Sequence, residues 1–150
     1  MSEGKVVLIL GSEKDLDFIE PAVQLLEKFG IEHEVRIGSA HKTPRKVLDI
    51  IEDFGDSEEV VFLTVAGMSN ALSGFVDANT VFPVIACPPI SDKFGGADIF
   101  SSLRMPSGVG PLVVLDPENA ALAAAKILAL KHPNILEKIS SYRDKLTERG

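Results

Sequence analysis

The chain has 150 residues, 45% of them hydrophobic, which fits one domain (residues 1–150) with a sizeable core and excludes a disordered chain. A formal net charge of −7 argues against nucleic acid as a partner, because that needs a basic footprint, whereas a small phosphorylated ligand needs only a local cluster of donors. With Cys87 as the sole cysteine, no apolar run near the ~20 residues that cross a bilayer, and no signal-peptide pattern behind Met1, the expectation is a cytoplasmic protein without membrane contact.

Strand and helix patterns alternate along the chain. Val6 to Leu10 is a continuous apolar run ending at Gly11, the pattern of a strand buried on both faces. Leu16, Ile19, Val23, Leu26 and Phe29 recur at helical spacing up to Gly30, with Pro21 either near the first turn or at a kink. Glu34 to Ile37 reads as a second strand. Val47, Ile50, Ile51 and Phe54 mark a second helix, with Thr43 as its N-cap and Pro44 as its first residue. Val60 to Val65 is a third strand, Asn70 to Thr80 a third helix, and Pro83 to Ala86 a fourth strand. A loop-rich stretch from Ile90 to Gly110 holds a short amphipathic piece around Ile99 to Leu103. Leu112 to Leu115 is a fifth strand, Asp116-Pro117 starts an Ala-rich helix to Leu130, and a final helix follows His132-Pro133. Such alternation predicts an α/β fold, a parallel sheet of about five strands with helices on both faces. Ligands of such sheets bind beyond the carboxyl ends of the strands, so the loops there are the ones to read for chemistry.

Gly11-Ser12-Glu13-Lys14-Asp15 offers a glycine, a hydroxyl and backbone N–H groups before a helix, suited to phosphate or hydroxyl groups. It lacks the later glycines of a dinucleotide fingerprint and the Gly-Lys-Ser/Thr of a P-loop, and a capped turn on Ser12 or Asp15 is the plainer reading. Gly38-Ser39-Ala40-His41-Lys42-Thr43-Pro44 combines a hydroxyl, a point charge and the side chain best suited to exchange protons near neutrality. Against this stands a solvated loop whose Thr43-Pro44 merely starts a helix. Gly67-Met68-Ser69-Asn70-Ala71 nearly matches the G-x-S-x-G nucleophile elbow, which raises a serine hydrolase as a rival. That rival needs His132, the only later histidine, with Asp98 or Asp116. Cys87 has no acid–base partner nearby in sequence and reads as a small buried hydrophobe; no spacing of His, Cys, Asp and Glu points to a metal site.

Taken together, these loops resemble the phosphoribosylaminoimidazole carboxylase and N5-carboxyaminoimidazole ribonucleotide mutase family, from Leu10-Gly11-Ser12 through Asn119-Ala120-Ala121. Ser39-Ala40-His41-Lys42-Thr43-Pro44 is the most specific part. Mutases carry Arg in place of Lys42 and Gly-Gly-Ala-Ala-His in place of Gly67-Met68-Ser69-Asn70-Ala71. The residues present, with Cys87-Pro88-Pro89 and Ser101 to Gly108, resemble the second class, which takes CO2 directly. The resemblance implies a flavodoxin-like three-layer sandwich, assembly as a homo-octamer, and no metal or nucleotide cofactor. It implies that Ser12, Asp15, Ser39, Lys42, Gly67 and Ser69 bind a ribonucleotide and that His41 is catalytic. The implied partners are that small-molecule substrate and CO2. Mutase activity, which in the family uses a second histidine absent here, is the alternative; a non-catalytic nucleotide-binding module of the same fold is more remote.

Overall fold

The structure is a computed structural model and describes residues 4–56 and 59–149. Its elements in chain order are β1 (Lys5–Leu10), α1 (Leu16–Lys28), β2 (Glu32–Ile37), α2 (Pro44–Glu52), β3 (Val60–Val65), α3 (Leu72–Ala78), β4 (Val84–Ala86), α4 (Phe100–Leu103), β5 (Leu112–Val113), α5 (Pro117–Ala129) and α6 (Pro133–Arg149). The strands form one parallel sheet in the order β2-β1-β3-β4-β5, the flavodoxin-like arrangement.

The two-sided burial of β1 follows from strand periodicity. Val6, Leu8 and Leu10 pack with α1, α5 and α6 on one face, while Val7 and Ile9 pack with α2 and α3 on the other. β3 divides in the same way, Val61, Leu63 and Val65 against Val60 and Phe62. The Ala-rich pattern of α5 becomes its buried face: Ala120, Ala121, Ala124, Ala125 and Ala129 lie in the first core. Edge strand β2 bears charge instead, with Lys5 paired to Glu32 and Arg36 to Glu34 and Asp53, a pattern that discourages further strand pairing.

Several boundaries differ from the sequence expectation. Pro21 lies inside α1 on its exposed side, where the Asp17 carbonyl that loses its helical donor can turn to solvent. Strand β2 begins at Glu32, and helix α3 occupies only Leu72–Ala78. Strand β5 closes after two residues, although the Val114 amide still donates to the Ala86 carbonyl at 2.9 Å. Thr43 stands at the N-cap of α2 and Pro44 opens the helix as expected, but the Thr43 hydroxyl makes no capping bond and serves Ser39 instead. No described helix is long and apolar enough to cross a membrane.

Candidate active site

The order of the strands reverses between β1 and β3, and the chain leaves both at the same edge of the sheet. That leaves a crevice where two neighbouring loops part to opposite faces. A cleft of about 460 Å³ lies there, walled by the loops after β1, β2, β3 and β4. It brings together Ser12, Asp15, Ser39, His41, Lys42, Gly67 and Ser69, the residues that the family resemblance implied for ribonucleotide binding and catalysis.

The first wall is set by Gly11, whose amide donates to the Val65 carbonyl at 2.8 Å and ties the end of β1 to that of β3. Ser12 then caps a single 3-10 turn, its Oγ accepting from the Lys14 amide at 3.2 Å. Since the oxygen accepts, the hydroxyl proton is left to donate to a ligand. Asp15 sits at the N-cap position of α1 but makes no capping bond. Burial pushes its carboxyl above its ordinary value, opposed in part by the Ser12 backbone.

The second wall is a knot around Ser39. The Ser39 amide donates to Thr43 Oγ1 at 2.9 Å, and the Thr43 amide returns a bond to the Ser39 carbonyl at 2.9 Å. Ser39 Oγ accepts from the Lys42 amide at 3.1 Å, again leaving its own proton to donate. The turn thus holds His41 and Lys42 outward into solvent at the mouth of the cleft. Among the described residues, neither side chain has a hydrogen bond or ion pair. Gly38 lets this loop descend onto α2, since a Cβ there would meet Val47 Cγ2 at 3.0 Å.

The third wall follows β3. A Cβ on Gly67 would meet the Pro89 carbonyl oxygen at 3.0 Å, so a larger residue here would press the loop after β4 away by a few tenths of an ångström. Met68 has a positive φ of 62°, uncommon outside glycine and asparagine, and its side chain is 67% exposed. Ser69 is also exposed, whereas Asn70 next to it is buried.

Also in the cleft are Lys14, which adds a second cation and to which the sequence assigned no role, and Pro89, Ile90 and Ser91, which close the far side. The length of the loop-rich stretch beyond β4 points to the region of the latter three, though not to a role for each. The hydrolase rival does not assemble: His132 pairs with Glu59, at the amino ends of the strands and away from Ser69. Cys87 is fully buried; burial, helped by the charge of Asp116, pushes its thiol up to about 12, so it is no nucleophile. Among the described residues, no group of three or more His, Cys, Asp and Glu could hold a metal ion.

Comparison with known proteins gives the family. The chain is 61% identical to phosphoribosylaminoimidazole carboxylase of Archaeoglobus fulgidus over 140 residues, 93% of this chain and 77% of that protein. It is 43% identical to N5-carboxyaminoimidazole ribonucleotide mutase of Methanocaldococcus jannaschii, covering 96% of this chain and 91% of that one. A crystal structure of Treponema denticola PurE superposes with a TM-score of 0.94 at 45% identity, over 97% of this chain and 93% of that one. The AIR carboxylase family model matches residues 5–149, and the chain belongs to that family.

Proposed function

We propose that this protein is a phosphoribosylaminoimidazole carboxylase, reversibly adding CO2 to 5-aminoimidazole ribonucleotide to give the 4-carboxy product of purine biosynthesis. The observation that carries the reading is the meeting, in one cleft at the β1/β3 switch point, of an exposed histidine with two cations and four serine hydroxyls. Lys42 neutralises the phosphate, and the free protons of Ser12 and Ser39 hydrogen-bond to it. Asp15 accepts from ribose hydroxyls. The Gly67 backbone and the Ser69 hydroxyl hold the incoming carboxyl group.

The aminoimidazole ring is an enamine. Its unsubstituted carbon attacks CO2, forming the carbon–carbon bond while the amine nitrogen takes up positive charge. Removing the proton from that same carbon restores the aromatic ring, and His41 accepts it. Holding the two reactants together and supplying the base are the protein's whole contribution, with a base typically worth ~10²- to 10⁴-fold. No metal or nucleotide cofactor enters this route.

Preference for CO2 over the N-carboxylated isomer rests on Lys42 and Met68-Ser69-Asn70, which stand where the family's mutases have other residues. Relatives bearing the carboxylase name at 61% and 47% identity support it. The working form is a homo-octamer in the cytoplasm, a reading that rests on family resemblance and on the exposed Phe94 and Phe100 beside the cleft loops.

The test is a product assay with purified protein, 5-aminoimidazole ribonucleotide and bicarbonate. Accumulation of the 4-carboxy ribonucleotide is expected. Absence of product from this substrate and from the N-carboxylated isomer would overturn the reading. Stoichiometric labelling of Ser69 by a fluorophosphonate would restore the hydrolase.

A further inference from the structure

Among the described residues, the buried polar side chains include Asn70, Ser73 and Ser102, at 4%, 0% and 2% exposure, and Asn70 is hydrogen-bonded to both serines. Asn70 Nδ2 donates to Ser73 Oγ and to Ser102 Oγ, each at 2.9 Å, and Asn70 Oδ1 accepts from the Ser73 amide at 3.2 Å. A neighbouring hydroxyl completes the cluster. Ser101 Oγ accepts from the Asn70 amide at 2.9 Å and donates to the Asp98 carbonyl at 2.8 Å, with the Met68 carbonyl 3.4 Å away. The Met68 carbonyl and the Asn70 amide are the peptide groups on either side of Ser69. One hydroxyl therefore ties down the Asn70 side of the residue that presents the Ser69 side chain to the cleft and lies against its Met68 side.

Such a clamp has work to do. Met68 stands in the left-handed region, which for a non-glycine residue persists only when its surroundings over-determine it. None of Ser73, Ser101 and Ser102 lines the cleft. We propose that Ser101, backed by the buried Asn70–Ser73–Ser102 cluster, is a positioning residue that fixes the Met68-Ser69 turn and acts on turnover through the Ser69 hydroxyl. This rests on the carboxylase reading and adds Ser101, which does not itself line the cleft, to the machinery of that site.

The experiment is a double-mutant cycle on kcat/KM for 5-aminoimidazole ribonucleotide with CO2, well below the melting temperature. Ser101 is only partly buried, so its variants fold more readily than those of Asn70. Ser101→Ala should lower kcat/KM by about tenfold or more, in line with the sensitivity of rate to small misplacements. Ser101→Thr, which keeps the hydroxyl, should recover most of it. In a Ser69→Ala background, Ser101→Ala should cost about twofold or less, because the group it positions is gone. A lowered melting temperature with unchanged kcat/KM would reduce Ser101 to a structural role and overturn the proposal. Equal losses in both backgrounds would overturn it too. Absence of turnover by the unsubstituted protein would instead refute the functional reading.

Discussion

At the scale of single residues, His41 and Asp15 bear the weight of the account. His41→Asn keeps the size and a hydrogen-bonding side chain but has no proton acceptor of use near neutrality. Turnover should fall by ~10²-fold or more while the KM for the ribonucleotide changes little, because the phosphate and ribose contacts remain. Near-normal turnover in a folded variant would remove His41 from the proton transfer. Asp15 makes a different demand. Its carboxyl has a higher pKa in the folded protein than in the unfolded chain, where it is near the ordinary value. The native state then binds more protons between the two values, so stability falls as pH rises through that window and the deficit is complete above both. Asp15→Asn abolishes the titration. Urea unfolding should find this variant at least as stable as the parent at pH 7, with the advantage shrinking on acidification, while ribonucleotide affinity drops. A variant less stable at pH 7 would contradict the burial argument.

At the scale of elements, the strained turn after β3 sets the most direct prediction. Met68→Gly removes an unfavourable φ at the loss of a mostly exposed side chain, so stability should rise by up to about 1 kcal/mol. For a chain of this size that is ~2–4 °C in melting temperature, readable in a thermal melt. A fall would mean that the Met68 side chain makes contacts worth more than the strain. Elements with strong periodicity were legible in the sequence: Val6 to Leu10, the spacing of Leu16 to Phe29, and the alanines of α5. Their physics is local, because a face is written into residue spacing. Thr43 and Pro44 were read at their correct places, N-cap and first residue of α2, but a hydroxyl before a helix has two uses, capping the helix or tying the preceding loop, and only the tertiary path of Gly38 and Ser39 chooses between them. The short β5 was overextended because Val114 and Leu115 keep an apolar pattern after the ladder has ended.

At the scale of the molecule, five strands in one order place loops that are distant in sequence around one cleft. That convergence was legible only as a rule about where parallel sheets bind ligands, which picked the loops that wall this cleft without giving their distances. The buried cluster around Asn70 was not legible at all, since it joins residues 31 and 32 positions apart. Its donors and acceptors meet only when the stretch around α4 folds back onto the start of α3. The central claim is that this architecture fixes CO2 itself onto a ribonucleotide ring. Initial rates with 5-aminoimidazole ribonucleotide plus dissolved CO2, set against those with the N-carboxylated isomer at equal concentration, test it most directly. The account predicts faster formation of the 4-carboxy product from the first pair; faster formation from the isomer would contradict it and make the protein a mutase.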